Sequence, residues 1–216
     1  CTAFMCGEAQ SVWLYDQYAV IGDWVNKQAA IYDITNPAAI QQLSEVQVDG
    51  FADGVCVFER EGRNILLVAT GHHSRRLENR RKYHLYEYVT AEMIADGYGC
   101  GHGIEIFDIT IPEQPVRLSG LKTPLSFSGP DTWLVYTNGT ECVFTDSVSG
   151  VFVICLEQLS KPHFTGFYRL KPLARQKLAP PCIQVHTGAI TGAACVNGYL
   201  CTASMEEGVH ILDTKL

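Results

Sequence analysis

Apolar residues fall along this chain in short alternating runs separated by Gly, Pro, Asn and Asp, the spacing of strands and tight turns rather than of helices. The run Gly103 to Leu121 shows the pattern most plainly. Ile104 and Ile106 flank Glu105, Asp108 opens a turn through Pro112 and Pro115, and Val116 to Leu121 forms a second strand. Alternating Val, Ile and Phe suit a pleated, packed strand. An aspartate at the turn can accept the backbone N–H groups just ahead of it, and each proline fixes φ.

The chain repeats this design. Tyr18 to Val46 is a first copy, in which Ile31-Tyr32-Asp33-Ile34-Thr35 answers Ile106-Phe107-Asp108-Ile109-Thr110. Cys142 to Leu170 is a third copy and Tyr199 to Leu216 a fourth. The aspartate recurs as Asp33, Asp108 and Asp213, with Cys155 in its place in the third copy. The loop before this strand ends on Gly103, Gly150 or Gly208. Another strand precedes each unit: Ser11 to Tyr15, Gly54 to Phe58, Asp131 to Thr137 and Ile190 to Val196. Four short antiparallel strands in a unit of about 45 residues is the arithmetic of a propeller blade, so an all-β propeller of about four blades is expected.

These motifs resemble the LVIVD repeat, whose blades carry a pattern close to GGLxIVDISDPxxP. Residues 28–46 and 101–121 are the close copies, and the other two are degenerate. The resemblance implies a β-propeller, often part of a bacterial or archaeal surface protein and mostly without an assigned activity. Complete members look like six or seven blades. Four units then imply further blades outside this segment, a ring completed by two chains, or an unusually small ring. A start at Cys1 and an end one strand into the fourth motif suggest a segment of a longer protein.

Composition narrows the function classes. A net charge of −7 argues against a general nucleic-acid role. No apolar run approaches the roughly 20 residues of a membrane span. Nine cysteines, an odd count without a CxxC pair, favour a reducing cytoplasm, whereas the family resemblance favours a cell surface. Asn138-Gly139-Thr140 reads as a hairpin turn before it reads as a glycosylation site.

One departure from the repeat carries candidate chemistry. Asp33 to Asp108 exceeds the repeat period by about thirty residues, and the excess lies at 72–102, between the second and third strands of the second blade. In blade geometry that loop opens on the same face as the loops between blades. His72 and His73 leave the strand end, and Cys100 and His102 close the loop. With Asp49 or Asp53, Asp131 and His186 from neighbouring loops they form a candidate site for Zn²⁺ or another divalent transition metal. The basic run Arg75 to Lys82 contains Arg75, Arg80 and Arg81, suited to clamp phosphate or carboxylate, although a solvated helical face explains it too. Leu85, Val89 and Met93 predict a short amphipathic helix. Tyr83, Tyr86, Tyr88 and Tyr98 either line a pocket or seal the insertion to the blades. No GxSxG elbow or phosphate-binding glycine loop accompanies them.

Two functions follow. The first is a ligand-binding or scaffolding propeller for a small molecule or protein, its site on the top face under 72–102 and including Arg75, Arg80, Arg81, Tyr83 and Tyr98. The second is a metal-dependent hydrolase or lyase acting on a small anion. In it His72, His73, His102 and His186 hold the metal, Asp131 orients water, and Arg75 or Arg80 holds the anion. The chain is expected to act as a homo-oligomer or with the remaining blades of a longer polypeptide.

Overall fold

The computed structural model describes residues 7–71, 91–92, 102–123, 132–146, 150–168, 190–204 and 208–213. They form four antiparallel sheets in which each strand pairs with the next along the chain. Blade 1 contains β1 (Ala9–Tyr15), β2 (Tyr18–Asp23), β3 (Gln28–Asp33) and β4 (Gln41–Gln47). Blade 2 contains β5 (Phe51–Arg60), β6 (Arg63–Gly71), β7 (Gly103–Asp108) and β8 (Val116–Lys122). Blade 3 contains β9 (Thr132–Thr137), β10 (Glu141–Asp146), β11 (Gly150–Cys155) and β12 (His163–Tyr168). Blade 4 contains β13 (Ile190–Val196), β14 (Tyr199–Ser204) and β15 (Gly208–Asp213), with no fourth strand among the described residues. The first strands touch in chain order, β1 on β5, β5 on β9 and β9 on β13. Four-stranded meanders packed face to face in this way are the blades of a β-propeller.

The repeat asparagines and aspartates do the turn work their chemistry allows. Asp33 Oδ1 accepts the Thr35 N–H at 2.8 Å, and Asp108 Oδ1 accepts the Thr110 N–H at 3.0 Å. Asn138 Oδ1 accepts the N–H groups of Thr140 and Glu141 at 3.0 and 2.8 Å, closing the β9–β10 hairpin. Glu61-Gly62 and Asn197-Gly198 have positive φ at both residues, the two-residue hairpin geometry that matches strand twist.

Packing between blades is directional. Counting back from the signature position, the third strands present Ala29 and Ile31, Ile104 and Ile106, Val151 and Val153, and Val209 and Ile211 on one face, here called the front. The front of blade 1 joins Val55, Val57, Leu66, Val68 and Phe107 of blade 2 in one core. The front of blade 2 packs on Val135, Cys142, Phe144, Phe152 and Ile154 of blade 3, where Phe144 and Phe152 stack at 4.9 Å. The front of blade 3 packs on Ile190, Ala193, Cys195 and Leu200 of blade 4. Each blade therefore lays its front on the back of the next. Two serines repeat a link across these seams: Ser44 Oγ donates to the Pro112 carbonyl, and Ser119 Oγ to the Leu159 carbonyl.

Among the described residues, Cys56, Cys142 and Cys195 are buried as small core residues. Cys56, Cys142, Cys155, Cys195 and Cys201 are free thiols. Burial pushes the Cys56 and Cys195 thiols up to about 11 and Cys142 well above the usual range, which keeps them protonated and unreactive. The amphipathic helix expected at 85–93 lies outside the described residues apart from Ala91 and Glu92, whose backbone is helical.

Candidate functional site

The insertion leaves blade 2 at Gly71 and re-enters at Gly103, whose strands pair Thr70 with Gly103. That stem stands where the first strands of neighbouring blades also begin. The top face is thus defined by the stem, the start of β5, the end of β8 and the start of β9. Asp53, only 4% exposed, ties the stem down by accepting the Gly71 N–H at 3.0 Å on Oδ2. Its backbone carbonyl accepts the Ser11 hydroxyl of blade 1.

Beside the stem lies a charged cluster that alternation alone would not place inside a protein. Glu105 is fully buried on β7, at the position held by Ala30, Phe152 and His210 in the other blades. Its Oε1 lies 2.6 Å from Lys122 Nζ and accepts the Asp49 N–H at 2.7 Å. Arg117 places one nitrogen 3.1 Å from Glu105 Oε2 and 2.9 Å from Asp49 Oδ2. The Arg117 contact with Oε2 is an ion pair rather than a well-directed hydrogen bond, since that oxygen has no hydrogen-bond donor. Lys122 Nζ also donates to Thr70 Oγ1 at 2.9 Å. Burial pulls the Lys122 ammonium below its usual range despite the opposing attraction of Glu105. Lys122 and Arg117 remain 28% and 49% exposed, so one flank of the cluster faces solvent.

Where the inner strands begin, a cavity of about 260 Å³ is lined by Gln10, Asp53 and Trp133 from three successive blades. Trp133 is 39% exposed, so part of its indole is available to a ligand. The lining combines an amide, a carboxylate and an aromatic face, a set that orients a polar molecule and covers its apolar side.

Of the histidine and cysteine ligands in the expected metal set, His102 is the one that lies among the described residues. It is fully buried between blades 2 and 3, with Nδ1 3.0 Å from Thr123 Oγ1 and Nε2 2.7 Å from Thr132 Oγ1. Its ring meets Phe144 edge-on at 6.5 Å. Both nitrogens are thus engaged, and a metal would have to displace a threonine hydroxyl. Among the described residues no group of three His, Cys, Asp or Glu side chains is placed to hold a metal ion. His72, His73, Cys100, His186, Asp131, Arg75, Arg80, Arg81, Tyr83 and Tyr98 lie outside the described residues. Of the two loop aspartates, Asp53 faces the stem and cavity, while Asp49 pairs with Arg117.

The cluster of Glu105, Lys122 and Arg117, together with Gln10 and Trp133, is absent from the sequence expectation. A signal for Glu105 was present: it is the one acid at its repeat position, inside a strand buried on both faces. Gln10 and Trp133 carry no such mark, because only the convergence of three blades brings them to one cavity.

These features define a repeat-built β-propeller with a polar cavity beside the strand ends from which the 72–102 insertion departs. Residues 6–47, the whole of blade 1, match the family model of the LVIVD repeat. Among solved structures, the computationally designed Ika4 protein aligns with a TM-score of 0.53 at 9% identity, covering 97% of this chain and 93% of that one. The designed Ika8 protein aligns at 0.52 and 14% identity over 96% of this chain but 46% of its own. The periplasmic gluconolactonase PpgL of Pseudomonas aeruginosa aligns at 0.52 and 10% identity over 88% of this chain and 48% of its own. The chain therefore spans about half the length of the latter two. At these identities the likeness is one of fold. A search of curated proteins finds no match. Among the described residues no helix is long and apolar enough to cross a membrane.

Proposed function

We propose that the chain is a binding propeller that takes a small polar ligand at the top-face mouth beneath the 72–102 insertion. The observation that carries this reading is the cavity lined by Gln10, Asp53 and Trp133 beside the insertion stem. Trp133 supplies a stacking face, the Gln10 amide both donates and accepts, and the Asp53 carboxylate accepts. In this reading Arg75, Arg80 and Arg81 of the insertion are the anion contacts and Tyr83 and Tyr98 the aromatic walls. The repeats place no reacting group at a constant position, which favours binding over catalysis.

Thermal-shift measurements with a panel of aldoses, aldonates and dicarboxylates test this. A compound that raises Tm in the wild type and fails to do so in Trp133→Ala, with the fold retained by circular dichroism, supports the site. A shift untouched by Trp133→Ala refutes it. Replacing 76–98 by a short Gly/Ser linker should leave a folded chain that has lost the response. Unfolding of that deletion variant would make the insertion a structural element instead.

A further inference from the structure

We propose that two copies of this chain join head to tail, the front of blade 4 of each packing on the back of blade 1 of the other, to close one ring. The front of every earlier blade is covered: Ala29, Ile31, Ile104, Ile106 and Val151 are fully buried and Val153 is 5% exposed. Their counterparts in blade 4 are not. Val209 and Ile211 are 71% and 67% exposed, and Val196 in the same face is 56% exposed. At the other end of the chain the back of blade 1 is open in the matching way. Val12 and Leu14 are 60% and 63% exposed, whereas Val55 and Val57, which hold those register positions in blade 2, are 4% and 7% exposed.

The two open faces are the two halves of one interface, used three times within the chain. If the four sheets closed on themselves, blade 4 would cover Val12 and Leu14, and their exposure shows that it does not. Isolated apolar residues on a surface are ordinary, but these lie in register on adjacent strands, Gly192, Ala203 and Val209 in one row and Ala194, Cys201 and Ile211 in the next. Chain length points to a second copy as the occupant. The chain aligns along nearly all of its length with 46% of Ika8 and 48% of PpgL, so two copies in sequence span such a structure. A heterologous contact repeated about a two-fold axis closes after two copies and leaves no open end. This inference is independent of the ligand site.

Sedimentation equilibrium of the purified chain, across a wide concentration range, tests it. The expected particle has twice the 23.9 kDa chain mass. Ile211→Lys and Leu14→Lys, at opposite ends, should each reduce it to the single-chain mass while keeping the β-sheet circular dichroism. A wild-type chain that stays monomeric overturns the proposal. So does a dimer that Leu14→Lys leaves intact, which would be blade 4 against blade 4, or a mass that grows past two copies, which would be an open array. If a lysine variant loses its sheet signal, Ile211→Thr and Leu14→Thr take its place. Each should then raise the dissociation midpoint by about tenfold or more, and an unchanged midpoint overturns the proposal.

Discussion

The ammonium of Lys122 lies 2.6 Å from a Glu105 carboxylate that solvent does not reach. Glu105 is the only anion within the β6–β7 face of blade 2, and it organises Lys122, Arg117 and the Asp49 N–H around itself. Removing one partner of a buried pair leaves the other charge without compensation, a loss of about 3–5 kcal/mol for fully enclosed pairs. Lys122 and Arg117 keep some solvent, so Glu105→Ala should cost about 2–3 kcal/mol, read as a lower urea midpoint with an unchanged slope. The double variant Glu105→Leu/Lys122→Met should recover most of that loss. If it is no more stable than Glu105→Ala, the pair is a net contributor rather than a compensated burden.

The signature aspartates make a pH prediction. Burial raises the Asp108 pKa, but the hydroxyl and amide hydrogen bonds of Thr110 and the nearby Arg63 outweigh it, so the group lies below its ordinary value. Asp33 is lowered by its bonds from Thr35. A carboxyl with a depressed folded pKa binds fewer protons folded than unfolded. Its contribution is therefore full above the unfolded value of 3.8 and is lost as pH falls through the folded one. Asp108→Asn should flatten the acid limb of stability below pH 3.8, and Asp108→Asn/Asp33→Asn should flatten it further. Acid unfolding curves that superimpose on the wild type would contradict this.

Much of the fold was legible because the repeat writes it several times. Every expected strand is present within a few residues of its predicted bounds, since Asp, Gly and Asn-Gly fix turns through local hydrogen bonds and φ. The 72–102 insertion likewise joins β6 and β7 as its spacing implied. The cavity was not legible, because Gln10, Asp53 and Trp133 meet only through the packing of three blades. His102 was legible as notable, but its surroundings were not. A histidine beside Cys100 in a loop suggests a ligand, whereas folding places it in an apolar seam where two threonines occupy both nitrogens.

Gly103 and Gly208 occupy the same repeat position and should respond differently to alanine. Gly103 has φ of 145°, and a Cβ there would run into the Leu121 carbonyl and Lys122 Cα, both backbone atoms of β8. Gly208 has φ of 79° with open space around it, because β15 has no outer strand among the described residues. Gly103→Ala should cost about 3 kcal/mol or more, from strain and displaced backbone together. Gly208→Ala should cost only about 1 kcal/mol, the penalty of a left-handed alanine. Equal losses by urea unfolding would mean that the outer strand does not set the glycine requirement.

The seam serines give a prediction about the repeat itself. Ser44 and Ser119 sit at one repeat position and donate to carbonyls at one repeat position of the following blade, while Gly166 holds that place in blade 3. Ser44→Ala and Ser119→Ala should each cost about 1 kcal/mol, the usual net worth of a partly buried hydrogen bond. The two sites share no partner, so the losses should add within about 0.5 kcal/mol. Serine in place of Gly166 has no counterpart carbonyl among the described residues of blade 4, so Gly166→Ser should not stabilise the isolated seam. A cost near zero for Ser119→Ala would show that the seams are held by apolar packing alone, with the serine link incidental to it.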